Sequence, residues 1–258
     1  MPEGLEAEIW RRAAQPLVGR DIHDAWVDER VAPDGFVDQI VGRRIEAVRR
    51  MGKVVLIDTD GATLGVHLGM TGRLEVDGRA PIDRLEYASG ADRAEWDRLR
   101  MWTDPEPDRT CALRMNDPRR LGRLSLDPDL NMLGPDALTL SAEALRNRLS
   151  GRRAAIKSLL LDPGVVAGLG NLCADEVLFW SGVSPRRAAD ELSTGDLERI
   201  AAACRERLPR MLAAGGSTHG ILDPTIRAAP RDCPIDGTAL ERATVGGRTT
   251  IWCPRHQE

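Results

Sequence analysis

An α+β chain is the fold class that this sequence predicts, and three observations predict it. Residues 21–76 are β-rich runs broken by glycines, residues beyond 140 repeat apolar side chains at helical spacing, and the last stretch holds a hairpin between two cysteine knuckles. In chain order, Leu5, Ile9 and Ala13 mark a helix over residues 4–15, which Pro16 and Gly19 end. Ile22–Val27, Ile45–Arg49, Val54–Thr59 and Thr63–Leu68 read as strands between Gly42, Gly52, Gly61 and Gly69. Trp96–Trp102 and Thr110–Met115 form a further hairpin with a Pro-rich turn at Asp104–Asp108. Asp127–Asp136, with its prolines and glycine, is the expected linker. Helices follow at Leu140–Arg148, Ala154–Leu161, Leu172–Trp180 and Thr194–Ala213.

The chain has 258 residues, room for a core of one large or two modest domains. Residues 1–20 carry acids and arginines where a signal peptide needs an apolar stretch, and no run is long enough to span a bilayer, so a cytoplasmic protein without a membrane partner is expected. Five scattered cysteines, an odd number, argue for reduced thiols with metal binding as their special use. A net charge of -4 speaks against binding nucleic acid by gross charge. Paired arginines such as Arg49-Arg50 and Arg119-Arg120 still allow an acidic back with a basic cleft. Only two lysines, Lys53 and Lys157, stand against 34 arginines. Arginine codon bias explains the scarcity. It does not explain the two survivors, and arginine does not replace lysine's compact charge.

Several stretches carry chemistry. Met1-Pro2-Glu3 would expose a secondary amine at Pro2 once the methionine is trimmed. Condensed with an aldehyde-like carbon, that amine gives an iminium, an electron sink that needs no proton. Glu3 beside it supplies a carboxyl for proton exchange. His67-Leu-Gly-Met70-Thr-Gly puts Met70 on a tight turn, either as an apolar wedge for unstacking bases or as core. Asn116-Asp-Pro-Arg119-Arg120-Leu121-Gly-Arg reads as a phosphate-contact turn or a solvated loop. Gly168-Leu-Gly170-Asn171 at a helix start reads as a phosphate nest, with Lys157 one helix earlier. Cys233-Pro-Ile-Asp236 and Cys253-Pro-Arg-His256, sixteen residues apart, either close a tetrahedral zinc site or pack as a bare hairpin with Arg248 at its tip.

These motifs, in this order and at similar spacing, resemble the bacterial formamidopyrimidine-DNA glycosylase / endonuclease VIII family over nearly the whole chain. The resemblance implies an N-terminal two-layered β-sandwich with flanking helices (1–127), a helix–two-turn–helix domain (128–222) and a C-terminal zinc-finger-like β-hairpin (223–258). It implies a monomeric bifunctional glycosylase and abasic-site lyase acting on double-stranded damaged DNA. Pro2 would attack the sugar C1′, Glu3 would act as general acid/base, and β- and δ-elimination would follow. Lys53 would contact phosphate and lesion. Met70, Arg119 and Leu121 would fill the hole left by the flipped base. Asn171, the Gly168–Gly170 amides and Arg248 would hold the backbone.

Three departures from the family pattern stand out. Asp236 and His256 replace cysteines, leaving one Zn2+ with an atypical Cys-Asp-Cys-His set. Leu121 replaces a phenylalanine, so stacking on the orphaned base weakens. Only fourteen residues separate Thr218 from Cys233, where 8-oxoguanine enzymes carry a longer loop. The short segment and the opening Pro-Glu-Gly favour an endonuclease VIII-like range: oxidised pyrimidines, ring-opened purines or abasic sites over 8-oxoguanine. The rival expectations are a non-catalytic DNA-binding relative and an N-terminal-proline enzyme acting on a small carbonyl metabolite.

Overall fold

The computed structural model describes residues 2–82, 85, 91–103, 110–229 and 231–258. The chain folds as two compact units, one of Pro2 with residues 6–130 and one of residues 3–5 with 131–258.

In the first unit, helix α1 (Gly4–Ala14) is followed by β1 (Asp24–Val27), α2 (Phe36–Ile40), β2 (Ile45–Met51), β3 (Val54–Thr59), β4 (Thr63–His67), β5 (Arg73–Val76), β6 (Asp97–Trp102), β7 (Leu113–Asn116) and β8 (Arg123–Leu126). Two four-stranded antiparallel sheets result, ordered β1-β6-β7-β5 and β2-β3-β4-β8. Apolar residues of both sheets share one core, including Val55, Ile57, Leu64 and Val66 from the second and Leu99, Met101, Leu113 and Met115 from the first. Trp10 of α1 and Phe36 and Ile40 of α2 join it. Each such side chain contributes about 1.5–3 kcal/mol when fully buried, which is why the two sheets close into a sandwich.

The expected hairpin of β6 and β7 is present, with Leu99 opposite Met115 and Met101 opposite Leu113. Its turn at Asp104–Asp108 lies outside the described residues. Between β2 and β3 the chain reverses over Gly52-Lys53 alone, Met51 pairing with Val54. Gly52 sits at φ 58°, the backbone that a two-residue turn with glycine first requires.

The second unit holds α3 (Ala142–Leu149), α4 (Ile156–Leu160), α5 (Asn171–Ser181), α6 (Thr194–Ala214), α7 (Pro224–Ala228) and the hairpin β9 (Glu241–Val245) with β10 (Arg248–Trp252). Ser193 and Asp196 form a reciprocal capping box at the start of α6. Nearly every residue of α5 is buried, because it is the central helix of this unit. Phe179 on α5 shares an apolar cluster with Leu222, Cys233, Leu240, Ile251 and Cys253, so the hairpin segment packs on α5. Helix α7 was not expected from periodicity, being too short to show any. Its sequence signs are the Asp223 cap and Pro224 in the first turn. Among the described residues no helix is long and apolar enough to cross a membrane.

Candidate active site

Glu3 is 1% exposed, and its carboxylate sits at the N-terminus of α5. One oxygen accepts from Leu172 N at 2.8 Å; the other accepts from Gly170 N at 2.9 Å and Cys173 N at 3.1 Å. Gly4 N donates to Gly168 O at 2.8 Å, which fixes the backbone one residue on. Gly170 and Gly4 are both needed for this approach. A Cβ on Gly170 would lie 2.3 Å from the Glu3 Cδ, and one on Gly4 would lie 2.9 Å from Gly168 O. The nest expected to cradle phosphate is therefore taken by the chain's own carboxylate at Gly170, Leu172 and Cys173. The positive end of the helix suits that charge.

Pro2 is buried, and the peptide bond ties it to this fixed carboxylate. Lys53, in the first unit with Pro2, is half-buried on the Gly52-Lys53 turn. Arg50 steadies the turn by donating to Gly52 O at 2.8 Å and to Glu8 of α1 at 3.2 Å. The paired arginines allow a basic cleft, but here Arg50 pairs with Glu8 of α1 and Arg49 with Asp58 across the strands. His67 on β4 accepts from Gly69 N at Nδ1, 3.2 Å away, so that nitrogen is unprotonated. Burial first, and then the Lys53 charge, push the His67 pKa down.

The Met70 and Arg119–Leu121 turns lie against each other. A Cβ on Gly69, at φ 59°, would stand 2.4 Å from Leu121 carbonyl atoms. Met70 is half-buried, Arg119 is exposed, and Leu121 keeps 41% of its surface exposed. An exposed leucine on a loop this tightly held is ready to meet an apolar surface. Arg120 departs from expectation: at φ 51° it turns its guanidinium onto Asp28, 2.9 Å away, within a cluster that includes Arg30 and Arg98. Arg30 first, then Arg120, holds the Asp28 carboxyl far below its ordinary range against the opposing effect of burial.

Lys157 also departs from expectation. It is wholly buried on α4, its ammonium 2.6 Å from Asp175, 2.7 Å from Thr250 Oγ1 and 3.1 Å from Thr249 O. It cannot reach a phosphate directly from there. Arg227 of α7 pairs with the other Asp175 oxygen and donates to Thr249 O and Asn171 O. Asn171 Nδ2 donates to the same Thr249 carbonyl at 2.9 Å. Three donors thus converge on the residue after Arg248 and pin β10. The tip turn Gly246-Gly247, at φ 59° and 71°, packs on Ser158 and leaves Arg248 exposed. Desolvation pushes Lys157 down to about 8 despite the favourable Asp175 charge, and pushes Asp175 up. Asp175 and Arg227 escaped the sequence reading because neither lies in a motif; only the fold brings them together.

At the other end of the hairpin, Cys233, Asp236 and Cys253 have ligand atoms within 4.8 Å of one another. Burial pushes the Cys233 thiol up, opposed by the backbone N–H groups of Ile235 and Asp236, and His256 N donates to Cys253 Sγ at 3.2 Å. Such N–H···S bonds stabilise thiolates, and two sulfurs with one carboxylate oxygen suit a zinc ion. The expected fourth ligand is not with them. The His256 ring lies against Phe179 and its Nε2 is 2.8 Å from the Phe179 carbonyl. A carbonyl only accepts, so Nε2 carries a proton and donates it there.

Residues 1–124 match the family model described as the formamidopyrimidine-DNA glycosylase N-terminal domain, and residues 133–222 match its H2TH domain. A formamidopyrimidine-DNA glycosylase of Stenotrophomonas maltophilia is 35% identical with both chains fully covered, and one of Paracoccus denitrificans is 33% identical, again over both whole chains. The chain belongs to the formamidopyrimidine-DNA glycosylase family. Its fold is accordingly similar to a solved point mutant of the Lactococcus lactis enzyme in complex with DNA containing Fapy-dG, at 25% identity, TM-score 0.81 and full coverage of both chains. The Lactococcus lactis complex with abasic-site DNA is similar at 25% identity and TM-score 0.80, over 99% of each chain. Within the glycosylase family, a sandwich followed by an H2TH unit is the architecture described above, so the α+β expectation holds.

Proposed function

We propose that this protein is a bifunctional DNA glycosylase and abasic-site lyase of base excision repair, working through Pro2. With the leading methionine removed, the Pro2 amine attacks C1′ of an everted, damaged nucleotide and the base leaves. The resulting iminium draws electrons from the sugar, so the 3′ and then the 5′ phosphate are eliminated. Glu3 exchanges protons with the sugar, and Lys53 contacts phosphate at the lesion. Met70, Arg119 and Leu121 occupy the vacated stack, offsetting part of the few kcal/mol that eversion costs. Asn171 and the Gly168–Gly170 segment form the platform, and Arg248 grips the strand from the hairpin tip. A zinc ion on Cys233, Asp236 and Cys253 would staple the hairpin's base, with His256 as the proposed fourth ligand. The substrate range is endonuclease VIII-like, favouring oxidised pyrimidines, ring-opened purines and abasic sites over 8-oxoguanine.

The observation that carries this reading is the seat of Glu3. A buried carboxylate held by three amides, with Gly170 required to let it in, fixes the residue next to the amine to within hydrogen-bond tolerance. Such placement is what covalent catalysis demands of its partner group. Borohydride reduction on an abasic duplex tests it. Wild type should be trapped covalently, and Pro2→Gly should lose most of the trapped product. Intact mass should show the mature chain starting at Pro2. An untrapped wild type that still binds abasic DNA would leave the non-catalytic relative as the reading.

A further inference from the structure

We propose that Asp117 is a positioning residue whose buried carboxylate joins the Met70 turn to the Arg119–Leu121 turn, so that the two enter the base stack as one wedge. This rests on the wedge role given to those turns above. Asp117 is 0% exposed, and four donors saturate its two oxygens. Oδ1 accepts from Thr71 Oγ1 at 2.5 Å and Arg119 N at 3.3 Å. Oδ2 accepts from Leu121 N and Gly122 N, each at 2.8 Å. Three of the donors belong to its own loop and the fourth, Thr71, follows Met70 directly. A carboxylate without water must find all its stabilisation in these groups, so it holds them firmly.

The rest of the surroundings immobilise Asp117 itself. Its N–H donates to Trp96 O at 2.8 Å, and its carbonyl accepts from Arg98 Nε at 2.9 Å. Arg98 is itself buried and paired with Asp28 at 3.1 Å. The wedge therefore has one rigid root in the sandwich and two tips. Without the Thr71 bond only the packing of Gly69 on Leu121 would link the tips, which would then move more independently. Inserting them would then cost the ordering of two loops, and that cost falls on eversion alone. An abasic site in a single strand has no stack to open and does not incur it.

The test compares wild type with Thr71→Val, which keeps the shape and removes the hydroxyl, and Thr71→Ser, which restores it. Asp117→Asn is the second probe. Single-turnover cleavage is measured on a duplex carrying an oxidised pyrimidine and on a single-stranded abasic oligonucleotide. Emission of 2-aminopurine placed opposite the lesion reports eversion without requiring cleavage. Thr71→Val should slow the duplex reaction and the emission change about tenfold, the effect of one lost charge-assisted bond. Cleavage of the single strand should stay within about twofold, and Thr71→Ser should recover the duplex rate. Equal losses on both substrates, or no loss on the duplex, would overturn the coupling. A wild type that everts the base yet neither traps nor cleaves would refute the proposed catalysis and leave the wedge standing.

Discussion

Replacing Gly170 by alanine should move Glu3 directly, through the Cβ that the substitution adds. The new Cβ would lie 2.3 Å from Glu3 Cδ, 2.5 Å from Oε1 and 2.6 Å from Cγ. Ordinary carbon contact begins near ~3.5 Å, so the carboxylate must retreat by about 1 Å. Its bonds to Gly170, Leu172 and Cys173, now 2.8–3.1 Å, would open past hydrogen-bonding range. Each bond to a charged group is worth about 1.5–3 kcal/mol, and partial recovery through tilting leaves an expected cost of about 2–4 kcal/mol. A displacement of this size at a reacting group lowers the rate by roughly a hundredfold. Urea unfolding and single-turnover borohydride trapping would measure the two effects together. Gly195→Ala is the control: on α6 the nearest atom to its Cβ is 3.7 Å away, so that variant should be neutral or mildly stabilising. Gly170→Ala with wild-type trapping and an unchanged urea midpoint would show that α5 does not hold Glu3, and the argument for its seat would fail.

Two further outcomes are expected. Lys157→Met leaves Asp175 with Arg227 but strips one partner from a buried ion pair, which costs about 3–5 kcal/mol in chemical unfolding. The fold holds Lys157 near 8, below its ordinary 10.5, so the folded state releases this proton first. Wild-type stability should therefore rise relative to Lys157→Met as pH climbs from about 8 to 10.5; a difference that shrinks over that window would contradict the assigned shift. Arg248→Ala, at the exposed hairpin tip, should weaken duplex binding similarly for all sequences and lower the slope of log K against log salt by about 1. Its melting temperature should match wild type, and an unchanged salt slope would remove Arg248 from the phosphate contacts.

Much of the molecule was legible in the chain alone. The β-rich, glycine-broken runs of β2, β3 and β4, the helical spacing of α1 and α6 and the Gly-Gly hairpin tip are local patterns, and local sterics and burial determine them. The residues proposed to act chemically drew attention too, because Pro2-Glu3, Lys53 and the two cysteine knuckles are unusual at short range. What tertiary structure alone decided is where each polar group finds its partner. The amides of Gly170, Leu172 and Cys173 hold Glu3, Arg120 turns to Asp28, Lys157 goes inside to Asp175, and the His256 ring bonds Phe179 O. Asp117 and Thr71 lie 46 positions apart in the chain, yet they bond. A charged side chain carries no periodicity that names its partner. A buried one must nonetheless be paired, and the nearest counter-group is set by how distant segments pack.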